Sequence, residues 1–194
     1  MKELLQMSKQ ELWQLFPIII CHYNPKWPKR YLDEKKAIVS FLGAEKIFRI
    51  THIGSSAIPG IDGKPTIDIL LEIKRKVNTK TIIEKMQEAG YIYTEQKDNP
   101  PPYMMFLKGY TPQGFRGQVF HVHVRYPQDW DEFYFRDYLI SHPLIAKTYS
   151  KLKHNLAKQY QFNRDGYTDA KTAFIKKISR IARNEFCFSY KPKN

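Results

Sequence analysis

Between His52 and Glu72 the chain reads His-Ile-Gly-Ser-Ser-Ala-Ile-Pro-Gly-Ile-Asp-Gly-Lys-Pro-Thr-Ile-Asp-Ile-Leu-Leu-Glu. This segment constrains the fold more than any other. A β-rich run from Lys46 to Ile53 leads into Gly54-Ser55-Ser56. A turn-rich stretch follows, punctuated by Pro59, Gly60, Gly63 and Pro65. Thr66 to Ile73 then reads as the strongest strand of the chain and presents Asp68. A glycine after a strand lets backbone N–H groups approach a phosphate, and serine hydroxyls add donors. A carboxylate on the next strand can hold Mg²⁺, which bridges phosphate oxygens. These parts together make a site for a nucleoside triphosphate. Gly54, Ser55 and Ser56 are expected to face the phosphates, and Asp68 is expected to be the metal ligand and the catalytic carboxylate.

Around this segment the first two-thirds of the chain alternates helix and strand signals. Lys2 to Leu15 and Pro28 to Leu42 read as helices, the second stopped by Gly43. Thr79 to Ala89 is a helix ending at Gly90. Tyr103 to Lys108 and Gln118 to Arg125 read as further strands. Thr94 to Pro102 reads as a surface loop, because Pro100 to Pro102 can neither continue a helix nor sit in a central strand. From Trp130 onward three helices fit: Asp129–Ser141, Pro143–Gln161 and Thr168–Phe186. The middle one carries a stripe of Ile145, Tyr149, Leu152 and Leu156. The expected class is α/β (α+β), a mixed sheet flanked by helices with a C-terminal helical cap. The 194 residues fit one domain, with the sheet part at about 17–126 and the helical part at about 127–186.

Composition narrows the partners. The formal net charge is +13, which attracts polyanions. A nucleotide or another phosphorylated small molecule is the expected partner. The chain has no RNA-recognition motif and no interleaved arginine–aromatic run. The two cysteines, Cys21 and Cys187, form no CxxC and read as reduced core thiols. The N-terminus lacks a signal-peptide pattern, and no uncharged stretch is long enough to span a bilayer. A cytoplasmic protein with no membrane partner is expected.

Other residues bear on the site. His121, His123 and Arg125 fall on one strand face, with Val122 and Val124 on the other. They read as a His-x-His metal or phosphate site beside Asp68, or as satisfied histidines on a polar sheet face. Imidazole suits Zn²⁺, Mn²⁺ or Ni²⁺ better than Mg²⁺. Lys171 sits in the middle of the stripe of Phe174, Ile178, Ile181 and Ala182, with Tyr167 one turn before it. The pair reads as reaching a phosphate, or as a lysine that snorkels to water. Lys176, Lys177, Arg180 and Arg183 lie on the opposite, solvated side. Lys64 can neutralise a phosphate or stand exposed in its turn. His52 orients a loop, Arg136 and Asp137 pair at a packing surface, and Trp27 and Trp130 are core aromatics.

The 52–72 segment resembles the corresponding block of the GrpB family, differing in a few positions. Tyr23-Asn-Pro-Lys-Trp27, His121-Val-His123-Val, Phe135-Arg-Asp-Tyr-Leu139 with His142-Pro143, and Tyr167 with Lys171, Phe174 and Ile175 are similar to further blocks of that family. The resemblance runs from about Tyr23 to Ala182. It implies a nucleotidyltransferase-like fold. The implied activity is metal-assisted transfer of a nucleotidyl group from a nucleoside triphosphate to an acceptor. The metal expected is Mg²⁺ or Mn²⁺, with Zn²⁺ as the other candidate. Members also occur fused to dephospho-coenzyme A kinase. That implies the alternative: a catalytically degenerate nucleotide- or phospholigand-binding module, accessory to that kinase or to folding.

One departure matters. Active nucleotidyltransferases carry Asp-x-Asp or Asp-x-Glu, which puts two carboxylates on one strand face. Here Leu70 occupies the second position. The next acid on that face, Glu72, is roughly 13 Å from Asp68 at strand rise. Two ions about 4 Å apart cannot be held by that pair.

Overall fold

A computed structural model describes residues 3–186 and 190–192. Its core is a five-stranded mixed sheet of order β1-β2-β5-β4-β3. The strands are β1 (Ile47–Ile53), β2 (Thr66–Ile73), β3 (Ile92–Glu95), β4 (Met104–Thr111) and β5 (Gly114–Arg125). β2 and β5 run parallel at the centre, and the other neighbours are antiparallel. The helices are α1 (Lys9–Leu15), α2 (Trp27–Leu42), α3 (Thr79–Glu88), α4 (Asp131–Ser141), α5 (Pro143–Gln159) and α6 (Arg164–Glu185).

The period-two alternation of the central strands assigns the two faces of the sheet. Ile67, Ile69, Leu71 and Ile73 of β2 join Phe120, Val122 and Val124 of β5 on one face. Trp27, Tyr31, Ile38 and Leu42 of α2, with Ile82 and Met86 of α3, complete that core. Asp68, Leu70 and Glu72 therefore point the other way, as do His121, His123 and Arg125. The second face is covered by α4, α5 and α6. These pack on one another through Tyr134, Phe135, Tyr138, Tyr149 and Ile178, and the turn after β1 is anchored there by Ile58 and Ile61. The α/β class and the helical C-terminal third agree with the sequence.

Several expectations change. The 2–15 segment is not one helix: Lys2 lies outside the described residues, a short 3-10 turn covers Leu4–Gln6, and α1 starts after Ser8. Ser8 and Glu11 form a capping box, which favours a start there over an uninterrupted helix. Thr94 and Glu95 are not loop but the end of β3, a four-residue edge strand on β4. So short a strand leaves no periodic signature. The last helix begins at Arg164, not Thr168. Gly166, which reads as a breaker, lies inside it; its amide donates to the N-cap Asn163 side chain at 2.9 Å. Cys21 is a half-buried thiol on a bridge with Gly63, not a core residue, and Cys187 lies outside the described residues. No described helix is long and apolar enough to cross a membrane.

Candidate functional site

β2 and β5 place three ligand-type side chains together. The parallel register sets Asp68 beside His121 and Leu70 beside His123. His121 Nδ1 lies 3.4 Å from Asp68 Oδ1, and His123 Nε2 lies 3.6 Å from the same oxygen. One ligand atom from each of the three lies within 4.8 Å of the others. Burial pushes the Asp68 carboxyl up, but the two imidazoles beside it outweigh burial and hold the group well below the usual carboxylate range. Burial lowers His121 to about 4, against the upward pull of Asp68. His121 is thus neutral at physiological pH, the state that a metal ligand requires.

A second layer fixes the His121 ring. Its Nε2 is 2.7 Å from the Tyr110 hydroxyl, which accepts a hydrogen bond from Arg164 Nη2 at 3.1 Å. When Nε2 carries the proton and donates it to Tyr110, the Nδ1 lone pair is directed at the Asp68 side. Metal-bound histidines are commonly oriented by such a partner on the other nitrogen. Two imidazoles and one carboxylate suit a transition ion such as Mn²⁺ or Zn²⁺ better than Mg²⁺, which favours oxygen ligands.

Beside this cluster a cleft of about 420 Å³ runs between the sheet and α5 and α6. Gly54 forms one edge. It adopts φ +70° and ψ −173°, a region that side chains rarely enter. Any Cβ there would overlap the Asp68 carboxylate. The glycine is thus required by close approach to Asp68, a reason the sequence alone does not reveal.

Three lysine amines converge on the cleft: Lys64 from the β1–β2 connection, Lys153 from α5 and Lys171 from α6. Lys171 Nζ stands 4.4 Å from the centre of the Tyr167 ring, and Lys64 Nζ stands 5.9 Å from it. Tyr167 itself is 1% exposed, so its ring forms a floor under both amines. Burial, then Arg164 and Lys171, lower Lys64 to about 7. Burial, then Lys171, lower Lys153 to about 7. Burial lowers Lys171 to about 8, against Asp68. A site where ammonium groups repel one another gains from an anion that joins them.

Not every expected residue belongs here. Ser55 faces the cleft, but Ser56 is fully buried and its hydroxyl bonds His52 Nε2 at 3.0 Å. The 3-10 turn at Ser55–Ala57 rotates the second hydroxyl inward, so Ser56 braces the loop instead of offering a phosphate donor. His52 thus orients the turn, as expected. Arg125 lines the cleft, yet Glu132 pairs with it at 2.7 Å and it stacks 4.5 Å over Trp130, so its charge is already compensated. Lys176 is exposed, as expected, and also lines the cleft. Arg183 packs over Tyr134 and pairs with Asp129 and Asp131.

Leu70 and Glu72 define what surrounds the Asp68–His121–His123 cluster. Leu70 is fully buried against Ile53, Trp130 and Phe133. Glu72 is also fully buried and accepts from Arg49 Nη2 at 3.0 Å, Trp130 Nε1 at 3.1 Å and the Gln128 amide at 3.2 Å. Its oxygens are committed to holding the chain after β5.

Sequence reasoning missed Lys153, which is 2% exposed, and Ser179, whose buried hydroxyl in the cleft wall has no hydrogen-bond partner among the described residues. Lys153 follows Tyr149 by four residues and precedes Leu156 by three, so the helical wheel of α5 holds its signal. Tyr110 and Arg164 had none.

Comparison with known proteins agrees with this architecture. The family model described as GrpB protein matches residues 17–180. A UPF0157 protein of Pseudomonas aeruginosa is 35% identical over 156 residues, covering 80% of this chain and 63% of that protein. The glutamate-rich protein GrpB of Alkalihalophilus pseudofirmus is 34% identical, covering 83% of this chain and 93% of its own. This chain spans 51% of the UPF0157 protein YqkA of Bacillus subtilis, at 33% identity. It therefore spans under two-thirds of the Pseudomonas and Bacillus relatives. The crystal structure of conserved protein GrpB from Enterococcus faecalis superposes with a TM-score of 0.74 at 28% identity, covering 86% of this chain and 98% of that one.

Proposed function

This chain belongs to the GrpB family, and we propose that its cleft binds a nucleoside triphosphate and transfers the nucleotidyl group with the help of a divalent metal ion. The observation that carries this reading is the convergence of Lys64, Lys153 and Lys171 beside the Asp68–His121–His123 cluster. A polyphosphate offers charge to Lys64 and Lys171 at once, Lys153 stands on Ser55 at the same cleft, and the Asp68–His121–His123 cluster lies next to them. Asp68, His121 and His123 would hold the ion. When bound, it would supply Lewis-acid polarisation of a phosphoryl oxygen. Lys171 and Lys64, held over Tyr167, orient the phosphates, and Ser55 lies at the turned end of β1. The unpartnered hydroxyl of Ser179 in the cleft wall also favours a polar ligand.

One observation favours a second reading, a phospholigand-binding module without turnover. Leu70 holds the second-carboxylate position and is sealed into an apolar cluster. A single ion cannot clamp both the attacking and the leaving oxygen. Pyrophosphate release, measured for the four ribonucleotides with Mg²⁺, Mn²⁺ and Zn²⁺ and a panel of protein, RNA and sugar acceptors, separates the two. Metal-dependent release that disappears in His123→Ala supports the transferase. Tight binding with no release under any pairing supports the module.

A further inference from the structure

We propose that Ser55 and Lys153 form a nucleophile–base pair, and that the cleft works through a nucleotidyl group held covalently on Ser55. This rests on the triphosphate reading above.

The geometry carries it. Lys153 Nζ lies 2.9 Å from Ser55 Oγ, within the reach that a base and its nucleophile need. The amine is 2% exposed and forms no ion pair among the described residues. Its partners are neutral oxygens: the Ser55 hydroxyl and the backbone carbonyl of Asp62. A buried ammonium is costly without a carboxylate. A neutral amine fits the same contacts, donating one hydrogen to the Asp62 carbonyl and turning its lone pair to the Ser55 hydroxyl. The charged and titratable groups that act on it are Lys171 from α6, Asp62 from the β1–β2 connection and Cys21 from the segment before α2. With burial they set it at about 7, close to the ideal for a base at neutral pH.

Two further residues shape the pair. Gly63 lies so close that a Cβ would come within 2.8 Å of Ser55 Cβ and 3.6 Å of Lys153 Nζ. The Tyr149 ring lies 4.5 Å from Lys153 Nζ, and its phenol stands close enough to Ser55 to feel that hydroxyl. The lysine is thus held by a carbonyl, a ring and a glycine gap, and a lysine serves as base to a serine nucleophile in the Ser–Lys variants of acyl-transfer enzymes.

The step balances as follows. Ser55 Oγ attacks the α-phosphorus of the triphosphate, the bond from that phosphorus to the bridging oxygen breaks, and pyrophosphate leaves. The hydroxyl proton passes to Lys153 Nζ. Lys64 and Lys171 meet the charge of the leaving group. In the return step an acceptor hydroxyl attacks the same phosphorus, Ser55 departs and regains its proton from Lys153, and the acceptor proton passes to solvent.

The test is covalent labelling of the full chain with triphosphates carrying ³²P at the α position, in the presence of Mn²⁺, followed by peptide mass spectrometry. Calorimetric titration of the same triphosphates runs in parallel. Label on Ser55 is expected, absent in Ser55→Ala and slowed by about 100-fold or more in Lys153→Arg. Arginine keeps the donors toward Ser55 and the Asp62 carbonyl but cannot act as a base. A structural pin would tolerate it. Thermal melting checks that Lys153→Arg folds; if it does not, Lys153→Met, which keeps the apolar stem, takes its place. Wild-type labelling at subsaturating triphosphate, which reads the free protein, should also rise with pH through about 7. Binding without label, label on another residue, or a Lys153→Arg protein that labels at the wild-type rate overturns the pair and leaves the triphosphate site standing. Absence of both binding and label removes both.

Discussion

Gly54 and Asp68 stand so close that no side chain fits between them. The strand end that carries the turn and the strand that carries the carboxylate are locked together at this point, since Ile53 pairs with Asp68 across β1 and β2. Gly54→Ala should therefore do two things. It forces a side chain into a positive-φ position, at a cost of about 1–3 kcal/mol. It also displaces the carboxylate. Thermal melting should show the loss of stability, and isothermal titration with Mn²⁺ should show weaker binding. A variant that melts and binds like the wild type would mean that the contact is not tight in solution.

Asp68→Asn separates ligand chemistry from folding. Its side chain faces the cleft, while Ile67, Ile69 and Leu71 fill the core behind it. The amide keeps the volume and gives up the charge. The melting temperature should stay within a few degrees, and metal-dependent binding should vanish. A collapse of the fold would show that the Asp68 contacts with His121 and His123 are structural.

Lys171→Ala should weaken triphosphate binding by roughly 10-fold or more, the loss of about 1.5–3 kcal/mol for a hydrogen bond to a charged group. Lys177→Ala, on the exposed side of α6, should change little. Binding should also take up protons above neutral pH. Lys64 and Lys171 lie at about 7 and about 8 in the free protein, and a bound polyanion raises both. Calorimetry in buffers of different ionisation enthalpy reads this directly. Equal behaviour of the two variants would remove Lys171 from the site.

How much of this was legible in advance differs element by element, for physical reasons. The direction of Asp68 follows from the period of two, because its neighbours Ile67 and Ile69 must face a core. The inward position of Lys171 follows from the helical wheel of α6. The Lys153 contact was not legible as chemistry, since its partner Ser55 is 98 residues away and only tertiary packing joins them. The inward turn of Ser56 is not legible, because adjacent serines look equivalent in sequence, while a 3-10 turn sends one hydroxyl to the cleft and the other to His52. Gly166 disguised the start of α6: Asn163 capping compensates the glycine, and close contact with Tyr160 leaves no room for a side chain.

The buried His52 predicts a pH dependence of folding. Burial lowers its pKa to about 4, with Asp68 opposing and Arg136 assisting. The ordinary value is 6.5. Between these values the unfolded chain takes up a proton that the folded protein refuses, so stability falls as pH drops from about 6.5 to about 4. Above 6.5 this contribution is fully present. Denaturant melts across that window should show the slope, and it should be shallower in His52→Asn. A slope that is unchanged in the variant would assign the effect to other groups.

The last prediction concerns Leu70. Its place on β2 is the one that a second metal-binding carboxylate would occupy, two residues after Asp68 and on the same face. In this fold the position is not an open ligand site, because Ile53, Trp130 and Phe133 close over it. Leu70→Asp should therefore fail to restore a second ligand. It should instead bury an unpaired charge, a change that costs about 4 kcal/mol or more and lowers the melting temperature sharply. The wild-type protein should bind one transition ion per chain, and His123→Ala should abolish that binding while leaving the fold intact. Metal content by mass spectrometry after equilibration with Mn²⁺ or Zn²⁺ measures the stoichiometry. Two ions per chain, or a stable Leu70→Asp protein with a gain in metal content, would show that Trp130 and Phe133 move aside and that the position remains available to the metal chemistry.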